Sequence, residues 1–398
     1  MITAQVIQKI LYKFIGVIFL LAFFSCTAFF PGCSRKDKHS EIKKRFQKEV
    51  EQIVIDYRFP GMTAAYVLPD KTTATFAAGY SDREHNIPMT ENSRMLAASI
   101  GKTFTAAVIL DLVREKKLDL DAPVGNYIGD EEWFSSLPNG SRITLRHLLT
   151  HSSGITNHVE TPEFIKFVTV RRGNINSALL PEKLISFVLG KPPLFIPGNG
   201  FHYSDTGYII AGWIVEKITK KNIFDEVKSR ILNPLDLTMT EPSDRKNLPG
   251  LASGYLSPEN IFHLPAKTTI KPGMMSWNPG IEWAGGGFVS TSRDLAIWGS
   301  ALYEGRAISG KYLDDLLHGV QAAPGIKYGI ATVIKEDQED VFYGHKGWIP
   351  GYSSSLLYDK NHRTTIAFQI NTDIGIIGNN QDVLSIIEKR LVRILFNR

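Results

Sequence analysis

A serine and a lysine three residues apart begin a strongly apolar stretch, and this spacing could support nucleophilic chemistry. Ser99 and Lys102 precede residues 104–110, which are almost continuously apolar and predict a helix buried on most sides. Residues three apart share a helix face, so a desolvated lysine with a lowered pKa could take the serine proton. The positive end of the helix would stabilise an oxyanion. A helix-capping serine is the competing interpretation, and a second pair with the same spacing, Ser40 and Lys43, lies in a charged segment without such context.

Two further short motifs contain groups that the same chemistry would use. Tyr203 lies between a glycine-containing loop and an apolar segment, and a tyrosine hydroxyl beside a lysine ammonium can act as base and then as acid. His345 and Gly347 offer a cation for a substrate carboxylate and a backbone that a substrate can approach closely. Taken alone, Tyr203 is equally well a buried tyrosine beside a helix cap, and the His345 segment is an ordinary turn.

The elements that must position these residues follow a simple order, with strand patterns at both ends of the body and helical patterns between them. The predicted strands are 61–68, 72–79, 328–335, 341–343, 353–358 and 364–369. The predicted helices are 100–117, 145–150, 207–219 and 381–396. We therefore predict an α+β fold: an antiparallel β-sheet flanked by helices plus an all-helical subdomain. The α/β part is placed at about 46–92 and 285–398, and the helical part at about 93–284.

The three motifs, in this order, resemble those of the penicillin-recognising serine hydrolases. That family includes class C β-lactamases, D-alanyl-D-alanine carboxypeptidases, and related esterases and D-aminopeptidases. The resemblance covers nearly the whole chain from about residue 46 to residue 398, and includes the stretches 117–124, 143–154 and 284–291. It implies the β-lactamase/transpeptidase-like fold, with the active site between the sheet domain and the helical subdomain.

The resemblance also implies a role for each motif. Ser99 would be the acylated nucleophile, Lys102 its activating partner and Tyr203 a proton shuttle. His345 and Gly347 match the third motif, whose first residue is lysine in most β-lactamases and histidine in many peptidases and esterases.

This sequence departs from the family pattern at positions that would contact substrate. Asp205 stands where asparagine is usual; an ionised aspartate only accepts hydrogen bonds, and it would hold Lys102 charged and shift base duty toward Tyr203. His345 is expected to be only partly charged near neutral pH. The backbone N–H of Trp348 would join that of the nucleophile in the oxyanion hole, while its side chain narrows the pocket or forms an aromatic wall.

Residues 1–33 predict an export signal or a lipoprotein leader. Two lysines precede an apolar run over residues 14–24, followed by small residues. The run is marginal for a permanent membrane anchor. Cys26 and Cys33 each follow a small residue and could carry a lipid, or they are incidental to the leader. We expect a protein exported to the bacterial cell envelope, in the periplasm and possibly membrane-anchored as a lipoprotein.

Composition excludes several classes of function. Because no cysteine follows Cys33 in the 398-residue chain, the body has no disulfide scaffold, cysteine-ligated metal or thiol nucleophile. The net charge of +5, part of it in the leader, is too mild and dispersed for nucleic acid. Leu96 stands where a phosphate-binding loop needs glycine, and His147 and His151 have zinc-ligand spacing without the accompanying glutamate. We predict no metal, no cofactor and no nucleic-acid partner.

These expectations combine into an exported serine hydrolase that cleaves an amide or ester through an acyl-enzyme on Ser99. The expected substrate is a D-amino-acid-containing peptide of the cell envelope, as for a D-alanyl-D-alanine carboxypeptidase. A β-lactamase or a short-chain carboxylesterase is the first alternative. A non-catalytic envelope receptor or lipoprotein that retains the fold is the second. The protein is expected to be a monomer.

Overall fold

The computed structural model describes residues 35–171, 176–337, 340–376 and 381–396. The chain divides into two units, Met1–Lys44 and Arg45–Arg398. The predicted leader, with Cys26 and Cys33, lies outside the described residues, so its boundary stays a prediction. No helix in the described part is long and apolar enough to cross a membrane.

Helices and strands alternate along the part of the chain that the structure describes. The helices are α1 (Arg35–Tyr57), α2 (Lys102–Arg114), α3 (Gly125–Ile128), α4 (Leu145–Leu149), α5 (Pro162–Arg171), α6 (Pro181–Ile185), α7 (Asp205–Thr219), α8 (Ile223–Val227), α9 (Ser292–Tyr303), α10 (Leu313–Leu317) and α11 (Val383–Phe396). Short 3₁₀ helices are Ala98–Gly101, Phe134–Ser136, His158–Glu160, Pro279–Ile281 and Trp283–Gly285, and a π-helical segment is Lys228–Leu232.

The strands are β1 (Gly61–Val67), β2 (Thr73–Asp82), β3 (Ile87–Pro88), β4 (Met95–Leu96), β5 (Glu241–Pro242), β6 (Thr269–Lys271), β7 (Met274–Met275), β8 (Phe288–Ser290), β9 (Val320–Ala323), β10 (Ile326–Tyr328), β11 (Val333–Asp337), β12 (Asp340–Ile349), β13 (Tyr352–Asp359) and β14 (Thr364–Ile370). Nine of them form an antiparallel sheet in the order β3-β2-β1-β14-β13-β12-β11-β10-β9. Strand β1 pairs with β14, with Ala64 opposite Phe368. The predicted antiparallel sheet built from both ends of the body, with helices between, is confirmed.

Helices cover both faces of the central strands. Every residue of β1 and of β14 is buried, although successive side chains of a strand point to opposite faces. On one face Phe46 of α1 packs edge-to-face on Tyr66. On the other, the hydroxyl groups of Thr63 and Ser292 of α9 are hydrogen-bonded at 2.7 Å. Such two-sided burial accounts for the absence of a regular apolar–polar alternation in these strands.

Two strand predictions are wrong in detail. Residues 328–335 do not form one strand, because β10 ends at Tyr328 and a turn closed by Gly329 N–H and the Thr332 carbonyl (2.8 Å) precedes β11. The predicted strand 341–343 is part of the ten-residue strand β12, which contains the third motif. Position 344 must be glycine, because a Cβ there would lie 2.1 Å from the Leu356 carbonyl oxygen. This glycine breaks the alternation of apolar and polar side chains along the strand.

Because α11 packs on the sheet, we predict that two isoleucine-to-alanine variants differ strongly in their free energy of unfolding. Ile387 is fully buried, whereas Ile55 on α1 is 66% exposed. We expect Ile387→Ala to lower the free energy of unfolding by about 2–5 kcal/mol, through lost burial and a residual cavity. Ile55→Ala should change it by less than about 0.5 kcal/mol. Urea denaturation followed by circular dichroism measures both, and equal effects would contradict this packing.

Candidate active site

Ser99 lies in a short 3₁₀ helix, Ala98–Gly101, that follows β4 and leads directly into α2. Ala98 has a φ of 49°, a left-handed conformation that non-glycine residues seldom adopt. The turn is pressed against another loop, since a Cβ on Gly101 would lie 2.8 Å from the Gly286 carbonyl carbon. Such close backbone packing fixes Ser99, which remains partly exposed and lines a pocket.

Lys102 is the fully buried cation of the site. Its Nζ donates hydrogen bonds to Ser99 Oγ (3.0 Å), to Asp205 Oδ1 (2.5 Å) and to the carbonyl oxygen of Gly285. An ammonium group has three N–H donors, so all three are used. The structure thus brings the predicted first and second motifs into one hydrogen-bonded group.

The charges in this group determine whether Lys102 and Tyr203, the two candidate bases, are protonated. Burial alone would lower the pKa of Lys102, but Asp205 and Tyr203 raise it above its ordinary value. Burial raises the pKa of Tyr203, an effect that Lys102 offsets in part and Asp205 reinforces. The Tyr203 hydroxyl is buried and has no hydrogen bond of ordinary geometry within the described ranges. Both candidate bases are therefore protonated at neutral pH.

The second motif is positioned by residues of the 145–158 region. Asp205 is the first residue of α7, and its N–H donates to Asn157 Oδ1 at 3.1 Å. The N–H of Ser204 donates to Nδ1 of the buried His151 (3.1 Å), whose ring centroid lies 4.1 Å from that of Tyr203. His151 thus holds the Tyr203 segment. Within the residues that the structure describes, no group of three or more His, Cys, Asp or Glu side chains could hold a metal ion.

His345 does not provide the positive charge expected of it. It is buried on β12, where Nδ1 lies 2.6 Å from the Lys346 carbonyl oxygen and Nε2 lies 2.7 Å from the Tyr328 hydroxyl. Burial lowers the pKa of His345 to about 3, and Lys102 adds to the effect. The expectation of a partly charged His345 near neutral pH is therefore wrong, because burial outweighs the ordinary titration of imidazole.

Gly347 and Trp348 place β12 against the turn that carries the serine. A Cβ on Gly347 would lie 2.3 Å from the Ala97 carbonyl oxygen, so only glycine allows this approach. Trp348 is 38% exposed and lines the pocket beside Ser99. Its indole Nε1 donates to Asp373 Oδ2 at 3.2 Å, which fixes the ring orientation.

The pocket at Ser99 is lined mostly by apolar side chains. Its polar side chains, apart from the indole of two tryptophans, are Ser99, His158, Asp205 and Glu282. The apolar lining residues are Val159, Phe164, Val168, Phe262, Leu264, Trp277, Ile281, Trp348, Ile349 and Pro350. None of the described lining residues is lysine or arginine.

Three polar residues of the site were not predicted. Tyr328 is hydrogen-bonded to His345, while His158 and Glu282 line the pocket. These residues have no fixed spacing from the three motifs in the sequence, and the fold brings them to the site from distant segments. Glu282 alone had a local signal, since it lies three residues before the Gly285–Gly287 run that resembles the family.

The family model described as beta-lactamase matches residues 46–380, most of the chain. The chain belongs to the beta-lactamase family. It is accordingly a serine hydrolase, related to penicillin-binding proteins and to a D-stereospecific amidohydrolase. It is 26% identical over 315 residues to penicillin-binding protein 4* of Bacillus subtilis (strain 168), covering 74% of this chain and 64% of that protein. It is 24% identical over 370 residues to the putative penicillin-binding protein PbpX of the same strain, covering 87% of this chain and 83% of that protein.

Two solved structures share the fold of this chain. A D-stereospecific amidohydrolase from Streptomyces sp. is 27% identical with a TM-score of 0.74, covering 89% of this chain and 98% of that chain. A D-amino acid amidase from Ochrobactrum anthropi SV3 has a TM-score of 0.75 at 23% identity, covering 89% of this chain and 99% of that chain. The second likeness establishes the fold alone.

The contact between Asp205 and Lys102 predicts a pH effect in this beta-lactamase-family site. Asp205 raises the pKa of both Lys102 and Tyr203, so Asp205→Asn lowers both, and a deprotonated base forms at lower pH. We expect the pH midpoint for labelling of Ser99 by a fluorophosphonate to fall by at least about one unit. Acylation by a fluorescent penicillin at pH 7 should rise for the same reason.

The matched control is Asp314→Asn, which changes an exposed aspartate outside the pocket. A midpoint that stays at the wild-type pH in Asp205→Asn would contradict the assigned role of this carboxylate.

Proposed function

We propose that this beta-lactamase-family protein hydrolyses an amide through an acyl-enzyme on Ser99, acting on a D-amino-acid derivative. The observation that supports the chemistry is the Lys102 ammonium, buried and hydrogen-bonded to both Ser99 Oγ and Asp205. An ion pair at the protein surface adds little stability. A serine nucleophile, by contrast, needs a base within hydrogen-bonding distance.

The proposed reaction begins after the Lys102–Tyr203 pair has lost one proton to solvent. Ser99 Oγ then attacks the substrate carbonyl carbon, and the serine proton passes to the deprotonated member of this pair. The backbone N–H groups of Ser99 and Trp348 receive the negative oxygen of the tetrahedral intermediate. The pair then returns the proton to the leaving amine as the C–N bond breaks. Water attacks the acyl-enzyme, the same pair takes a proton from the water, and Ser99 is regenerated as the product acid leaves.

The choice of a D-amino-acid amide draws on the pocket and on the relatives. Phe164, Phe262 and Trp277 give the acyl side an apolar, aromatic wall. The solved structure at 27% identity is a D-stereospecific amidohydrolase. A D-alanyl-D-alanine carboxypeptidase must bind a terminal carboxylate, and no described lining residue of this pocket carries a free positive charge. Amidase action is therefore favoured over carboxypeptidase action, and a short-chain ester is the second candidate because it uses the same acyl-enzyme.

Labelling by a fluorophosphonate tests the nucleophile, and the chain contains its own control. Ser40 and Lys43 repeat the Ser-x-x-Lys spacing on an exposed part of α1. We expect the wild type and Ser40→Ala to be labelled equally and Ser99→Ala to lose at least about 100-fold in labelling rate. Equal labelling of Ser99→Ala and the wild type would refute the acyl-enzyme.

Hydrolysis of D-phenylalanine amide, L-phenylalanine amide, a phenyl ester and a chromogenic cephalosporin then separates the substrate classes. We expect the D-amide to be cleaved with a kcat/KM at least about ten times that of the L-amide. Preference for the cephalosporin would assign a β-lactamase. Labelling of Ser99 without turnover of any substrate would favour the non-catalytic envelope receptor.

We further propose export to the bacterial cell envelope, supported by the leader pattern of residues 1–33. Mass spectrometry of the mature protein from membrane and periplasmic fractions tests this. We expect a mature chain that lacks most of the leader, and a lipid on Cys26 or Cys33 would give a mass increase on that cysteine. A full-length chain in the cytoplasm would contradict export.

A further inference from the structure

Glu282 contributes a carboxyl group to the pocket that the proposed reaction does not use. It precedes the 3₁₀ helix Trp283–Gly285, whose Gly285 carbonyl accepts from Lys102. Its Oε2 is buried and has no hydrogen-bond partner in the part of the chain that the structure describes. Burial of an unpaired carboxyl oxygen opposes folding, so a group that pairs with it from within the pocket would remove that cost.

His158 adds a second acceptor without a partner. The Thr206 hydroxyl donates to the Thr156 carbonyl (3.2 Å) and accepts from the His158 backbone N–H (2.9 Å). With the Thr206 proton given to Thr156, the hydroxyl accepts from His158 Nδ1, which lies 3.1 Å away, and this arrangement favours the tautomer with the proton on Nδ1. Burial lowers the pKa of His158 to about 4, so the ring is neutral. The other nitrogen, Nε2, is an acceptor that is buried and unpaired within the described ranges.

Apart from the proton that Glu282 carries in its neutral form, the ionisable side chains that line this pocket offer acceptors. The Lys102 ammonium spends its three N–H groups on Ser99, Asp205 and Gly285. The Asp205 carboxylate, which also lines the pocket, adds negative charge. A substrate carboxylate would meet like charge here, whereas a group with several N–H donors and a positive charge would find its complement.

We propose that this pocket binds the ammonium group of a primary amine on the acyl side of the substrate, with Glu282 as its counter-ion and His158 Nε2 as a further acceptor. The inference rests on the proposed acyl-enzyme function and specifies its substrate class: amides of amino acids or peptides with a free amino terminus. Substrates with an acylated amino group lack this ammonium and are therefore not the preferred ones.

The protonation state of Glu282 differs between the empty and the occupied pocket in this proposal. Burial raises the pKa of Glu282 to about 8, and Lys102 limits the rise. The carboxyl group is then largely neutral at neutral pH in the empty pocket, where a buried charge would be costly. A bound ammonium favours the carboxylate form, so the proton leaves Glu282 when the ion pair forms.

The test uses a parent boronic acid and its amino derivative, which form the same tetrahedral adduct with a serine and differ in one ammonium group. The probes are 2-phenylethylboronic acid and the two enantiomers of its 1-amino derivative, and binding is measured by protection of Ser99 from fluorophosphonate labelling. We expect the better amino enantiomer to bind the wild type at least about ten times more tightly than the parent compound. In Glu282→Gln this preference should fall to less than about threefold, with parent binding unchanged within about twofold.

The matched control is Glu132→Gln, which alters an exposed glutamate outside the pocket and should keep the wild-type preference. Equal binding of the amino and parent boronates by the wild type would overturn the ammonium site, as would a preference that survives Glu282→Gln. Failure of both compounds to protect Ser99, or absence of labelling, would instead refute the acyl-enzyme. A purely structural role of Glu282 would lower the affinity for both probes equally and leave their ratio unchanged, which also overturns the proposal.

Discussion

The buried ammonium of Lys102 is the interaction on which the rest of the site depends. A charge removed from water is tolerated only with complete compensation, and three separate elements supply it here: the Ser99 turn, the start of α7 at Asp205 and the carbonyl of Gly285. Each element must be in place for the lysine to be satisfied. The same hydrogen bonds therefore fix the nucleophile and join the helical part of the chain to the segment that leads into β8.

One cation also determines the protonation of its surroundings. Burial lowers the pKa of His151, His158 and His345, and Lys102 lowers each of them further. Three neutral imidazoles can accept hydrogen bonds at one nitrogen and donate at the other, which a protonated ring cannot do. The positive charge is thus concentrated on one atom beside Ser99 and is not spread over the histidines. This concentration explains why the rest of the pocket lining is an environment of acceptors.

The architecture and the three motifs could be predicted from the sequence because both rest on local signals. Apolar periodicity marked α2 and α11, and fixed spacing marked Ser99 with Lys102. The state of His345 could not be predicted, since its charge depends on burial and on Tyr328, which ends another strand. Asp205 could be placed beside Lys102 only through the family resemblance. Glu282 lies close to a glycine run that resembles the family, but its unpaired oxygen could not be predicted, because pairing depends on which distant segments pack beside it.

Pairing of β1 with β14 has a consequence for how the protein folds. Met62 lies opposite Ile370, so nearly the entire domain forms the loop that this pairing closes. Closing so long a loop carries a large entropic penalty, and proteins dominated by such non-local pairs fold slowly. The third motif on β12 reaches the Ser99 turn only within the completed sheet. A nascent chain that has not yet synthesised β12 to β14 therefore has a nucleophile in its sequence but no assembled site, and catalytic competence arises late in folding.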